Sequence, residues 1–146
     1  MREGLSIRDA TAADAEALAD LFVELGYPVT STEVLARLQP LTGAGRPPLV
    51  AVRDGAVVGL LTRSVMHVLH RPGPVGRVST LVVTERARGQ GIGAALMAAA
   101  EARLKQQGCI LIEVTSNMRR AEAHTFYERL GYERTSYRFA KPLGSG

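Results

Sequence analysis

A glycine-rich loop between a strand-like run and an alanine-rich helical pattern constrains this chain more than any other stretch. The loop spans Arg88–Ala94 with glycine at every second position from 89 to 93, and it follows the run Val78–Val83. Glycines permit backbone turns and a close approach to a ligand that larger side chains prevent. The helix behind the loop presents unpaired N–H groups and a partial positive charge. The sequence therefore predicts a phosphate or pyrophosphate site at this loop.

Length and composition predict one globular domain over residues 1–146, large enough to bury its own core. The longest apolar stretch is too short to cross a bilayer, and the first residues lack the apolar segment of a signal peptide. Cys109 is the single cysteine and cannot form an internal disulfide. We therefore expect a cytoplasmic protein without membrane partners, in which Cys109 is a buried small hydrophobic residue.

The net charge of +4 allows either a nucleic acid or a polyanionic cofactor as partner. The chain has no tryptophan, no zinc-type spacing of Cys and His, and no basic strand studded with aromatic residues. We therefore expect neither a nucleic-acid partner nor a bound metal.

Hydrophobic periodicity and turn residues predict a mixed α/β chain in the order β-α-α-β-β-β-α-β-α-β. The predicted elements are a strand at Ser6–Arg8, helices at Ala13–Leu25 and Thr32–Leu38 (the second ended by Pro40), strands at Leu49–Val52 and Val57–Thr62 joined by an Asp54-Gly55 hairpin, a strand at Val78–Val83, a helix ending at Gly108, a buried strand at Cys109–Val114, a helix at Met118–Leu130 ended by Gly131, and one or two strands in Tyr132–Leu143.

Three interpretations of the glycine loop compete: a plain surface turn, a dinucleotide-binding fingerprint, and a coenzyme A site. Gly89, Gly91 and Ala94 satisfy the relaxed dinucleotide pattern, and Glu113 follows about 20 residues later, where a ribose-binding acid belongs. In that fingerprint, however, the glycines follow the strand almost immediately, whereas Thr84–Arg88 intervenes here. A nucleotide loop of the Walker type is excluded because no Gly-Lys-Ser/Thr follows.

The pattern Val83-x-x-x-x-Arg88-Gly89-x-Gly91-x-Gly93 resembles the pyrophosphate motif of the GNAT family of N-acetyltransferases. A second segment, Ala123–Tyr132, is similar to the family's Tyr-containing helix end, and the two occur in the family's order. The resemblance spans nearly the whole chain. It implies a single α/β domain with a central mixed, mostly antiparallel sheet of six to seven strands and about four helices. It also implies acetyl-CoA as co-substrate and an amine acceptor, and a homodimer is common in the family.

The resemblance also assigns site residues. Strand main-chain groups would pair with the pantetheine arm of coenzyme A, and the loop N–H groups would hold the pyrophosphate with Arg88 beside it. The cofactor-binding residues implied are Leu81, Val82, Val83, Arg88, Gly89, Gln90, Gly91, Ile92, Gly93, Ala94 and Asn117. For Asn117, a helix cap is an equal alternative. Helical spacing alone predicts that Tyr127 is buried, whereas its match to the family tyrosine indicates a catalytic group that protonates or hydrogen-bonds the leaving sulfur.

The general base is not identified by the sequence. Many family members carry Glu or Asp in the strand before the loop, where this chain has Ser79 and Thr80. A water chain or an acceptor that arrives as a neutral amine is equally open. The remaining side-chain candidates are His67, His70, His124, Glu24 and Glu33.

The leading functional hypothesis is an N-acetyltransferase in which a primary amine of a small molecule attacks acetyl-CoA directly. The alternatives are acetylation of a peptide or protein, and a non-catalytic domain that senses coenzyme A.

Overall fold

The computed structural model describes residues 4–115 and 121–144, which divide into two compact units, one within Met1–Thr115 and one within Ser116–Gly146. In chain order the elements are β1 (Leu5–Asp9), α1 (Ala15–Leu25), α2 (Ser31–Gly43), β2 (Leu49–Arg53), β3 (Ala56–Met66), β4 (Val75–Val83), α3 (Ile92–Gln106), β5 (Leu111–Val114) and α4 (Ala121–Arg129). None of these helices is both apolar and long enough to cross a membrane. The arrangement as one domain stays a prediction.

The first unit is built on a five-stranded sheet in the order β1-β2-β3-β4-β5. The first three pairings are antiparallel and the β4–β5 pairing is parallel. This confirms the mixed, mostly antiparallel sheet, although the described residues contain five strands instead of six to seven. The predicted hairpin between β2 and β3 is present. Its turn residues Asp54 and Gly55 have φ of 51° and 81°, as the favoured two-residue hairpin turn requires.

Helices pack on both faces of this sheet. On one face, Val50, Leu60 and Val82 form a core cluster with side chains from α1 and α2. Successive residues of a strand point to opposite faces, and α3 packs on the other side. There, a Cβ added to Gly76 of β4 would lie 2.6 Å from Leu104 Cδ1 of α3. The glycine therefore permits the close approach of α3 to β4.

The helix α2 continues past Leu38, where Pro40 predicted its end, and stops at Gly43. Proline removes one donor and disfavours helical geometry in the residue before it, which made it a reasonable stop signal. The last turn is nevertheless closed, because the Ala44 N–H donates to the Pro40 carbonyl at 3.0 Å and the Thr42 hydroxyl to the Leu38 carbonyl at 3.2 Å.

The strand β5 is shorter and more exposed than predicted. Ile110 precedes it and is 52% exposed, and Leu111 is 38% exposed. A run of apolar residues predicts a fully buried strand. Among the described strands, however, β5 has only β4 beside it, so it lies at the edge of the sheet and is more exposed. Cys109 is half-buried instead of buried as predicted, because it lies just before this exposed strand, and desolvation raises the pKa of its thiol.

The second unit contains α4 and the segment that follows it. Gly131 ends the helix as predicted, with φ of 94°. The prediction of strands in Tyr132–Leu143 is wrong: no strand is present there. Tyr137 and Phe139 alternate as in a strand, but a strand needs a neighbouring backbone, and these side chains are 79% and 93% exposed.

Candidate functional site

The ladder between β4 and β5 ends before β4 itself does. The last paired residues are Val78 and Val114, while β4 continues to Val83 along β3. Among the described residues, no strand lies on the other side of 79–83. We call this opening the fork. A strand side left open in this way can pair with an extended ligand through main-chain N–H and C=O groups. The three residues predicted for the pantetheine arm, Leu81–Val83, all lie in the fork.

The glycine loop connects β4 to α3. Gly89 and Gly91 have φ of 78° and 77°, in the left-handed region that glycine adopts without steric cost. The helix begins at Ile92, its N-cap glycine offers no side-chain acceptor, and its first turn holds no acidic residue. Gly93 lies inside this first turn. The N–H groups here are therefore suited to an anionic ligand.

The start of the loop is fixed by Glu24 from the end of α1. One oxygen of its carboxylate accepts a hydrogen bond from the Glu85 N–H at 2.6 Å, and the other accepts one from the Thr84 hydroxyl at 3.0 Å. Glu24 was a candidate general base, but both of its oxygens are engaged in holding the loop. The contact joins residues 60 positions apart, so no local sequence signal reveals it.

Two predicted cofactor residues of the loop are also held by the protein. Arg88 Nε donates to the Val83 carbonyl at 3.1 Å, and its Nη2 lies 3.9 Å from the Glu24 carboxylate. The Gln90 side-chain carbonyl accepts a hydrogen bond from the guanidinium of Arg53 at the end of β2. The sequence analysis did not identify Arg53, because its contact with Gln90 joins residues 37 positions apart. These contacts place the Arg88 guanidinium beside the fork.

Two histidines and one glutamate among the base candidates lie away from the fork or are engaged elsewhere. Glu33 accepts a hydrogen bond from the Thr30 N–H at 2.9 Å in a capping box that begins α2, and this bond lowers its pKa. His67 and His70 are exposed in the connection between β3 and β4. Their positions identify no base.

Ser79 and Thr80 lie at the fork, as predicted. The Ser79 hydroxyl lies 2.8 Å from the Thr62 hydroxyl of β3, in hydrogen-bond contact. The register between β3 and β4 shifts beside Thr62, which leaves Ser79 as the extra residue of a β-bulge. Neither hydroxyl has a carboxylate or histidine bonded to it in the described structure, so neither is activated as a base.

Tyr127 belongs to α4 and is described within its own unit. Its ring is half-buried and contacts Phe126 and Tyr132 edge-to-face, with ring centroids 5.2 and 6.1 Å away. The Tyr132 N–H donates to the Tyr127 carbonyl at 3.0 Å. The tyrosine is therefore held by its aromatic neighbours, and its catalytic role stays a prediction. His124 is half-buried on the same helix, and Asn117 lies outside the described residues.

The chain matches the acetyltransferase (GNAT) family over residues 15–132. It is 40% identical over 94 residues to an aminoalkylphosphonate N-acetyltransferase of Salmonella typhimurium, a match that covers 64% of this chain and 61% of that relative. The chain thus spans less than two thirds of that relative's length. It is also 31% identical over 134 residues to an aminoglycoside N(6')-acetyltransferase type 1 of Stenotrophomonas maltophilia, covering 89% and 87% of the two chains.

Solved structures share the fold. An aminoglycoside N-acetyltransferase in complex with CoA matches with a TM-score of 0.84 at 20% identity, over 97% of this chain and 95% of that one. A putative acetyltransferase from Agrobacterium tumefaciens matches with a TM-score of 0.85 at 23% identity, over 94% and 99%. The chain therefore belongs to the GNAT family of acetyltransferases. This confirms the resemblance that the two sequence motifs indicated.

Proposed function

We propose that this chain transfers the acetyl group of acetyl-CoA to the primary amine of a small molecule. The observation that carries the proposal is the continuity of the fork with the glycine turn and the N-terminus of α3. Together they offer main-chain pairing for an extended arm and N–H groups for a pyrophosphate at its end. A family relation to acetyltransferases makes coenzyme A the ligand that fits both parts.

The residues present fit this ligand. Leu81 and Val83, on either side of Val82, would pair with the pantetheine arm through main-chain groups that point away from β3. The loop from Gly89 to Ala94 would hold the pyrophosphate. Arg88 adds a positive charge beside them, and the first turn of α3 adds no negative charge. When bound, acetyl-CoA supplies the activated acetyl group as a thioester.

The reaction joins the acceptor nitrogen to the acetyl carbon as the carbon–sulfur bond breaks. The nitrogen loses a proton and the sulfur gains one. From the family resemblance, we propose that the Tyr127 hydroxyl donates a proton or a hydrogen bond to the leaving sulfur. Main-chain N–H groups near Leu81 are assigned to stabilise negative charge on the carbonyl oxygen.

The acceptor is proposed to be a small molecule because the two curated relatives are named for small-molecule amines, an aminoalkylphosphonate and an aminoglycoside. The net charge of +4 disfavours acceptors with many positive charges. A compact amine with few charges, such as an aminoalkylphosphonate, therefore fits better than a polyamine or an aminoglycoside, both of which carry several ammonium groups.

The proposal is tested by following free thiol release from acetyl-CoA with four acceptors: an aminoalkylphosphonate, an aminoglycoside, a polyamine and a short peptide with a free N-terminus. We expect the highest kcat/KM with a small-molecule amine. Activity with the peptide alone would assign the protein to peptide acetylation. Tight coenzyme A binding without thiol release from any acceptor would identify a non-catalytic sensor.

Replacing Tyr127 with phenylalanine tests the assigned proton donor. The substitution keeps the ring contacts and removes the hydroxyl, so kcat should fall about 100-fold while the dissociation constant for coenzyme A stays within about twofold. Tyr132→Phe is the matched control, because it removes a hydroxyl from the neighbouring ring of the same cluster. Equal kcat values for Tyr127→Phe and the wild type would remove Tyr127 from the mechanism.

A further inference from the structure

An ion pair lies at the base of the fork. Arg77 of β4 and Glu113 of β5 are directly paired in register, one residue before the last rung of the ladder. Arg77 Nη2 donates to Glu113 Oε1 at 2.9 Å, and the side chains are 35% and 41% exposed. The pair is therefore open to solvent at the point where β4 and β5 part.

The pair faces away from α3. A Cβ on Gly76 would point at Leu104 of α3, so the next residue, Arg77, points to the opposite face, and Glu113 shares that face through its register. On the side toward the fork, the surface beside it is polar. We call it the polar floor, and it consists of Thr62, Ser64, Arg77, Ser79 and Glu113.

Glu113 supplies the carboxylate of the polar floor, whose other members are two serines, a threonine and an arginine. Its Oε1 is taken by Arg77, and its Oε2 has no hydrogen-bond partner among residues 4–115 and 121–144. A carboxylate can accept several hydrogen bonds. Glu113 thus has an oxygen available for a ligand and an arginine that fixes its direction.

We propose that Glu113 binds the ammonium group of the acceptor at the fork and that Arg77 is the positioning residue that orients its carboxylate. This inference rests on the proposed function, since it names the residue that recognises the acceptor amine of that reaction. An ammonium group donates charge-assisted hydrogen bonds to a carboxylate. Since Ser79 and Thr80 carry no charge, Glu113 supplies the attraction for the amine that they lack.

The first test compares Glu113→Gln with the wild type using a charged primary amine. We expect the KM for the amine to rise about 10-fold, with the KM for acetyl-CoA within about twofold. Glu101→Gln is the matched control, because it makes the same change on α3, on the other face of the sheet. An unchanged KM for the amine in Glu113→Gln would overturn the proposal.

The second test uses an alkoxyamine, whose nitrogen is uncharged at neutral pH. The effect of Glu113→Gln on kcat/KM should be much smaller for the alkoxyamine than for the ammonium-bearing amine. A merely structural ion pair would affect both acceptors equally, and that outcome would refute the assignment.

A third variant separates structure from recognition. Exchanging the charges, with Arg77→Glu and Glu113→Arg together, retains an ion pair between β4 and β5 and should melt close to the wild type. It moves the carboxylate to the neighbouring strand, so kcat/KM for the charged amine should stay reduced about 10-fold. Wild-type kcat/KM in this variant would contradict the proposal. If the wild type acetylates no amine at all, the proposed function fails, whereas activity insensitive to Glu113 defeats this inference alone.

Discussion

Replacing Glu24 with alanine tests whether α1 holds the glycine loop in its binding conformation. The substitution removes the acceptors for the Glu85 N–H and the Thr84 hydroxyl. Hydrogen bonds to a partly exposed carboxylate contribute about 1–1.5 kcal/mol each, so about 2.5 kcal/mol of bias toward the bound loop conformation is lost. If all of it were needed for binding, coenzyme A affinity would fall about 60-fold. The glycine turns and the buried Ala87 retain part of the conformation, so we expect about a 10-fold loss.

The assay is titration calorimetry with coenzyme A. Asp20→Ala is the matched control, because Asp20 is exposed one turn earlier on α1 and its loss changes the net charge equally. The control should bind coenzyme A as the wild type does. An unchanged dissociation constant in Glu24→Ala would refute the positioning role. A collapse of kcat with unchanged coenzyme A binding would instead make Glu24 the general base.

Three further predictions concern the fold and the loop. Gly91→Val forces a β-branched residue to φ of 77° and should weaken coenzyme A binding at least about 10-fold by calorimetry; wild-type affinity would exclude the loop from the site. Gly76→Ala places a Cβ 2.6 Å from a buried leucine of α3 and should lower the free energy of unfolding by about 1–3 kcal/mol in urea titrations, whereas an unchanged midpoint would show that α3 can shift. Asp14 accepts hydrogen bonds from Arg8 that lower its pKa in the folded protein. The ionised carboxylate therefore stabilises the fold above the ordinary carboxyl pKa, and this stabilisation is lost as the pH falls through the lowered pKa. Asp14→Asn should therefore cost about 2 kcal/mol at neutral pH and less at acidic pH, and an equal cost at both would contradict the linkage.

Features with local causes were predicted well from the sequence. The hairpin at Asp54-Gly55 and the glycine turn before α3 each depend on residues next to one another in the chain. Backbone conformations that favour glycine or Asp-Gly are encoded directly in such short segments. The loop could therefore be predicted from its own residues, whereas the pairing of Leu81–Val83 with a ligand was expected only from the family resemblance.

Features with distant causes could not be predicted. The engagement of Glu24 by the loop joins α1 to the end of β4, and the pairing of Arg77 with Glu113 depends on strand register. Sequence reasoning considered Glu113 only as a ribose-binding acid, because its neighbour Arg77 lies 36 positions away. The end of α2 was predicted wrongly for the opposite reason. Pro40 is a strong local stop signal, but hydrogen bonds in the last turn allow the helix to continue past it.

The most direct test of the central claim is transfer of an isotopically labelled acetyl group from acetyl-CoA to a small primary amine, followed by mass spectrometry. The account predicts labelled N-acetyl amine in amounts equal to the free coenzyme A released. Two results would contradict this account. One is release of coenzyme A that is matched only by labelled free acetate, and the other is binding of acetyl-CoA with no acetylated product from any amine.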